Sequence, residues 1–279
     1  MNLATPSLSD PEFHLFRDLL QRQTGIALSD SKRTLLVSRL QKRLRQLGLR
    51  SFSHYYKLVA ADQSGEELRR MVNSLTTNKT SFFREPHHFE FLERWLRGRS
   101  AQGGRRRLRI WSAACATGEE AYSIAMTVWQ ALGDLSAWDI RILATDIDTD
   151  VIEKAQTGRF RGETAADISR ENVQKFFLRG RGKWSGYLEA RPELSAMIRF
   201  RRLNLIDESW PMQHPFDAIF CRNVIIYFEH KTRLQVVSHL AAHLGEGGHL
   251  FLGHSETTAW SRDLLEPAGH TIYRKRVRQ

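Results

Sequence analysis

At 279 residues the chain exceeds a usual single domain, and its 41% hydrophobic content suffices for a substantial core, so a chain dominated by disorder is excluded. A formal net charge of +11 requires an acidic partner or a well-solvated basic surface, which leaves nucleic acid, an anionic membrane and a carboxylate-rich protein open. No apolar run approaches the length of a membrane span, and MNLATPSLSDPEF has neither the basic nor the hydrophobic region of a secretory signal, so a cytoplasmic location is expected.

From Asp10 to about Leu75 the pattern is helical, with Phe13, Phe16 and Leu20 forming a first apolar stripe. Residues 31–50 then carry Lys32, Arg33, Arg39, Lys42, Arg43, Arg45 and Arg50 without an acid. Leu36, Leu40, Leu44 and Leu47 fall at helical spacing in the same segment and Gly48 supplies a stop, so it reads as an amphipathic helix with a basic docking face. SFSHYYKLVA and EELRRMVNSL add two short helices. Residues 1–75 are therefore expected to form a small all-α domain and 76–107 a linker. From 108 to 279 strands and helices alternate, which predicts an α/β domain with a mostly parallel sheet. Within it, about 176–203 breaks the alternation with Gly180, Gly182, Gly186 and short extended stretches, and reads as an inserted β-subdomain. Arg105–Arg109 and Arg274–Arg278 read as solvated linker and tail. Cys115 and Cys221 fall at predicted strand ends and read as small buried apolar side chains rather than a disulfide or metal site.

The most informative stretch is 108–146. LRIWSAAC predicts a strand, ATGEEAYSIAMTVW a small-residue turn and helix, and IRILATD a second strand ending on Asp146. Such a βαβ unit brings a nucleoside cofactor to the turn, with the acid placed for ribose hydroxyls. Dinucleotides need a glycine-rich turn and a helix N-terminus free for phosphate. Here only Gly118 is glycine, and Glu119 and Glu120 at the helix start would repel phosphate. S-adenosylmethionine (SAM) has no phosphate, a ribose for Asp146 and a cationic amino group for Glu120. The alternative is an α/β domain in which Asp146 merely caps the next helix.

Five segments in order, LTTNKTSFFREPHHFEFL (75–92), WSAACATGEEAYSIA (111–125), ATDIDTDVIEKAQTG (144–158), FDAIFCRNVIIYF (216–228) and GHSE (253–256), closely resemble the chemotaxis receptor methyltransferases, the CheR family. The resemblance spans nearly the whole chain. It implies a Rossmann-like SAM-dependent methyltransferase domain with a small all-α N-terminal domain and an inserted β-subdomain. The implied activity is methyl transfer from SAM to glutamate side chains on chemoreceptor cytoplasmic helices, leaving S-adenosylhomocysteine (SAH). It further implies cofactor contacts at Asn78, Thr80 and Arg84 in the linker motif, at Glu120 and Asp146, at Asn204 and Leu205 around the adenine, and at Arg222 and Asn223.

Chemistry accounts for the lack of an evident base. Glutamate ionises near pH 4.3, so the nucleophile is already charged at neutral pH and catalysis reduces to positioning. Tyr227 is the group expected to orient the carboxylate and Arg39 its charge partner. His87 and His88 are expected to serve surface and packing roles, with no metal. Two other readings stay open: a nucleic-acid methyltransferase, disfavoured because CRNVIIYF lacks the proline pair of base-amino enzymes, and a SAM-responsive receptor-binding module without turnover. A receptor C-terminal peptide on the β-subdomain is a further expected partner; membrane insertion and an obligate oligomer are not expected.

Overall fold

The computed structural model describes residues 6–101, 106–256 and 263–276. Of the two arginine-rich stretches, Arg105, Val277 and Arg278 lie outside the described residues, and the rest runs largely into strands (Arg107–Ser112 and Ile272–Lys275) rather than a solvated linker and tail. The described residues fall into two units, one running to Thr77 and including Tyr227–Thr232, the other comprising Asn78–Ile226 and the chain from Arg233.

The described residues of the first unit include the α-helices α1 (Asp10–Thr24), α2 (Arg33–Gln46), α3 (Phe52–Ala61) and α4 (Glu66–Leu75). Ser9 starts α1 with a capping box, its side chain bonding the N–H of Glu12 while the Glu12 carboxylate returns to the Ser9 N–H. Phe13, Phe16 and Leu20 are buried as the stripe predicts, with the Phe16 ring packed on Phe52, Tyr55 and Tyr56. On α2, Leu36, Leu40 and Leu44 are buried, but Leu47 lies past the last turn and is 36% exposed. Three of the basic residues of α2 are used internally, the first being Arg33, which pairs with Asp10 and donates to the Leu8 carbonyl. Arg43 forms a two-pronged pair with Glu67, which also accepts from Tyr55, and Arg39 donates to the carbonyls of Leu75 (2.7 Å) and Thr76 (2.6 Å) at the end of α4. Lys32, Lys42, Arg45 and Arg50 remain exposed.

Tyr227–Thr232 joins this unit rather than the 108–279 domain to which sequence assigns it. The reason is backbone pairing: Phe228 bridges Ile26 antiparallel, and the Ala27 N–H donates to the Tyr227 carbonyl at 2.8 Å.

The second unit opens with α5 (His87–Ala101) and continues through β1 (Arg107–Ser112), α6 (Glu119–Leu132), β2 (Asp139–Asp146), α7 (Thr149–Gln156), β3 (Arg159–Arg161), α8 (Arg170–Phe176), β4 (Phe177–Arg179), β5 (Tyr187–Ala190), α9 (Pro192–Ala196) and β6 (Ile198–Arg202). It closes with β7 (Phe216–Cys221), α10 (His230–His243, whose first residues belong to the other unit), β8 (Leu244–Leu252), β9 (Leu265–Gly269) and β10 (Ile272–Lys275). The main sheet has the order β6-β2-β1-β7-β8-β10-β9, parallel from β6 to β8 with an antiparallel β10–β9 edge. Parallel neighbours require crossovers, which α6 supplies between β1 and β2 and α10 between β7 and β8.

The small antiparallel sheet β3-β5-β4 is the inserted subdomain, but its boundaries differ from 176–203. It begins at Arg159, and Ile198–Arg202 belongs to the main sheet beside β2. β3 has only three residues, too few to show a period-two pattern, while the exposed Arg199, Arg201 and Arg202 give β6 the look of a surface segment. The linker expectation also changes. Asn78 onward belongs to the second unit, and Phe82 anchors this segment on the small sheet through ring contacts with Phe160 (4.8 Å) and Phe177 (5.8 Å).

Phe82 is 1% exposed, so Phe82→Ala should cost about 3–5 kcal/mol through lost burial and a residual cavity. Denaturant unfolding followed by a probe in this unit checks it; a loss below about 1 kcal/mol would mean that the segment is held without this ring.

Candidate active site

The site lies where the parallel strands of the second unit end, the position at which open α/β sheets bind ligands. β1 stops at Ser112 and the chain enters the turn 113–118. Ala113 donates to the Phe220 carbonyl (2.7 Å) and Cys115 to that of Thr145 (2.9 Å), so the turn is tied to the two neighbouring strands. Gly118 caps α6 with φ 102, and a Cβ there would lie 2.9 Å from the Ala155 Cβ. Glycine is thus required for both conformation and the close approach of α7.

Three buried carboxylates surround this turn. Glu119 accepts from the Thr117 hydroxyl at 2.6 Å, and burial raises its pKa. Glu120 accepts from Ser112 Oγ at 2.7 Å and pairs with Arg222 at 3.0 Å; burial raises its pKa against the opposing pull of Arg222. Asp146, at the end of β2, accepts the N–H groups of Ala116 (2.9 Å) and Asp148 (3.0 Å), and burial pushes its carboxyl up to about 6. Asp146 does not cap α7. Asp148 does, accepting from Asp150 and Val151, and its other oxygen accepts from the Asn78 amide at 2.6 Å.

Arg222 follows β7 and joins several expected residues. Its side chain is 2% exposed, pairs with Glu120 and with Glu85 (3.4 Å), donates to the Arg84 carbonyl, and lies over the Phe89 ring. Burial would raise Glu85, but Arg222, the His254 N–H and the Asn223 amide hold it below the usual carboxylate range. Asn223 has φ 57; its amide donates to Glu85 (3.2 Å) and its N–H to Glu256 (2.9 Å). Asn204 and Leu205 follow β6, where the Leu203 N–H donates to the Asp146 carbonyl at 2.9 Å. Leu205 is buried, and the Asn204 carbonyl accepts from Trp210 Nε1 at 3.2 Å. Thr80 is half-buried, and Arg84 donates to the Lys79 carbonyl at 3.0 Å.

Six of the expected cofactor positions thus fall into two linked groups: Arg84, Glu120, Arg222 and Asn223 through Arg222 and Glu85, and Asn78 and Asp146 through Asp148. Tyr227 and Arg39 belong to the first unit. Sequence reasoning on individual residues misses Glu85, Asp148 and Glu256. Glu85 and Glu256 lie within the quoted SFFREP and GHSE segments, but single acids in loops carry no periodic signal.

Among the described residues, Glu85, His87 and His88 bring potential ligand atoms within 4.8 Å of one another. Arg222 already faces the Glu85 carboxylate, and His88 Nε2 lies 2.9 Å from Thr271 Oγ1. Burial, with Arg222 and His87 nearby, lowers His88 to about 3 and keeps it neutral. Cys115 and Cys221 are buried and free, their thiols pushed well up by desolvation.

The donor set fits SAM: carboxylates suited to an ammonium and to ribose hydroxyls, a buried leucine at the end of β6, and acids where a phosphate would otherwise sit. Comparison with known proteins agrees. Residues 11–76 match the CheR methyltransferase all-alpha domain and residues 78–274 the CheR methyltransferase SAM binding domain. The chain belongs to the CheR family. It is 41% identical over 268 residues to the chemotaxis protein methyltransferase of Escherichia coli (strain K12), covering 96% of this chain and 91% of that protein. It is 40% identical over 282 residues to chemotaxis protein methyltransferase 2 of Pseudomonas aeruginosa PAO1, covering 98% and 99%. The chain is a SAM-dependent methyltransferase of CheR type, with the all-α and Rossmann-like parts that the family implies.

A pH dependence follows from Asp146. Its folded pKa exceeds the ordinary 3.8, so its contribution to ligand-free stability is present below that value and is lost as pH rises through about 6. If Asp146 accepts from the ribose hydroxyls of the cofactor, binding runs oppositely, because those hydroxyls donate best to the ionised carboxylate. Calorimetry should find SAH affinity steady above about pH 7 and falling as pH drops through about 6, with Asp146→Asn abolishing the change in that window. An unaltered profile in Asp146→Asn would exclude Asp146 as its source.

Proposed function

We propose that this CheR-family enzyme transfers the methyl group of SAM to glutamate side chains on the cytoplasmic helices of chemoreceptors, forming methyl esters, and that it acts in the cytoplasm as a monomer. The observation that carries the reading is a βα turn flanked by the buried acids Glu119, Glu120 and Asp146, in a chain that matches the family along almost its whole length.

In this reading Glu120 holds the cofactor amino group, Asp146 the ribose, Asn204 and Leu205 the adenine, with Asn78, Thr80, Arg84, Arg222 and Asn223 completing the pocket. Bound SAM supplies an electrophilic methyl on a sulfonium. The protein need not remove a proton, because the substrate glutamate is ionised near neutral pH. Its task is to align a carboxylate oxygen with the methyl–sulfur bond and exclude water, and alignment of two bound reactants lowers the barrier by several kcal/mol. Tyr227 is assigned to orienting that carboxylate through its hydroxyl. Arg39 is committed to the Leu75 and Thr76 carbonyls, so its neighbours Lys42 and Arg45, exposed on α2, are assigned to attracting the acidic receptor surface.

The small sheet offers β3 and β4 as edges, and a receptor C-terminal peptide pairing with one of them would tether the enzyme by main-chain hydrogen bonds. Gly182 and Gly186 have open space where a Cβ would stand, which suits close approach of another chain. Gly180 instead serves its own hairpin, since a Cβ there would lie 2.0 Å from the Trp184 carbonyl oxygen.

With methyl-labelled SAM and a receptor cytoplasmic fragment, label should enter the receptor and be released by mild alkali as methanol, the signature of a methyl ester. Lys42→Glu combined with Arg45→Glu should raise the receptor KM about tenfold with SAH affinity unchanged, and wild-type activity should fall as salt passes about 0.1 M. Alkali-stable label, or label in nucleic acid instead of receptor, would overturn the assignment.

A further inference from the structure

Glu256 ends the GHSE turn after β8 and is 4% exposed. Its own N–H donates to the Gly253 carbonyl at 2.9 Å, which folds the turn back and returns the side chain to the segment after β7. There the carboxylate accepts four backbone N–H bonds. Oε2 takes those of Asn223 (2.9 Å) and Gly253 (2.5 Å), and Oε1 those of Val224 (2.9 Å) and Ile226 (3.3 Å).

A carboxylate offers about four lone-pair positions, so this one is fully used within the protein. Burial raises its pKa while the four N–H groups oppose the rise by favouring the ionised form. An amide in the same place would turn part of this acceptance into donor facing donor. The geometry is also closed sterically: a Cβ on Gly253 would stand 2.4 Å from the Asn223 amide nitrogen and 2.7 Å from Glu256 Oε2. Asn223 itself sits at φ 57, a left-handed conformation that asparagine adopts more readily than most side chains, and its amide is fixed separately by Glu85. The segment is therefore gripped by its backbone from one carboxylate and by its side chain from another.

We propose that Glu256 is a positioning residue of the cofactor site, holding the backbone of residues 223–226 so that Asn223 is presented to the nucleoside cofactor. It acts through Asn223 and does not itself touch the ligand. The inference rests on the reading above that Asn223 contacts the cofactor.

SAH titration by calorimetry tests it without any receptor. Glu256→Gln should weaken SAH about tenfold, Asn223→Ala should weaken it comparably, and the double variant should be no weaker than the weaker single within about threefold, since both act through one contact. Gly253→Ala should reproduce the loss with the carboxylate still present. In Glu256→Gln, hydrogen exchange at the amides of Asn223, Val224 and Ile226 should accelerate. Asp217→Asn is the control: Asp217 accepts from Arg99 and from the Arg109 N–H, both at 2.7 Å, so the variant should lower Tm while leaving SAH affinity unchanged. Unchanged SAH affinity in Glu256→Gln beside a weakened Asn223→Ala overturns the role of Glu256 alone. An unaffected Asn223→Ala removes Asn223 from the cofactor site and this role with it. Losses that multiply in the double variant, or an equal loss in the Asp217 control, also overturn the proposal.

Discussion

A buried guanidinium between two carboxylates organises the second unit. Arg222 reaches Glu120 at the start of α6 and Glu85 in the segment before α5, from a position directly after β7. Three stretches far apart in sequence thus share one charge cluster out of water. Such a cluster contributes little net stability, because desolvating the ions offsets their attraction, yet removing one partner leaves charge buried and costs about 3–5 kcal/mol. Its value lies in specificity: only one arrangement of β7, α6 and the preceding loop satisfies all three side chains.

Around that cluster the backbone is held in conformations it would not choose. Phe83, Glu85, Ala116 and Asn223 are non-glycine residues with positive φ, and each has a hydrogen bond that fixes it or its neighbour. Phe83 donates to Ser123 Oγ, Ala116 to Asp146, and Asn223 to Glu256, while Glu85 is gripped by Asn223, His254 and Arg222. Strain of about 1–3 kcal/mol per residue persists only where the surroundings over-determine it, and such places concentrate at ligand sites. The stacked Phe220–Phe251 pair, with centroids 4.1 Å apart, gives the rigid floor of adjacent strands from which these loops leave.

The sequence is legible where a pattern repeats. The strand–turn–helix–strand run over 108–146 exposes Glu120, Asp146 and the lack of a phosphate cradle, because each residue's place follows from a regular element. The helical stripes of Phe13, Phe16 and Leu20 and of Leu36, Leu40 and Leu44 are legible for the same reason. What escapes is non-local or carried by backbone. The pairing of Glu120 with Arg222 spans 102 positions, and Tyr227–Thr232 joins the helical unit through main-chain bonds that leave no trace in side-chain type. Arg39 and Arg43 look like free cations on a basic face until α4 is placed beside them. The linker contacts at Asn78, Thr80 and Arg84 come from family resemblance alone, since a polar loop before Pro86 has no periodicity to read.

The most direct measurement of the central claim, that Arg222 orders the cofactor site by bridging Glu120 and Glu85, is SAH titration of Arg222→Lys. Lysine keeps the charge but presents a single ammonium where the guanidinium spans two carboxylates and a carbonyl. The account predicts at least about a tenfold loss of SAH affinity in a protein that still unfolds cooperatively. Wild-type affinity in that variant would contradict it.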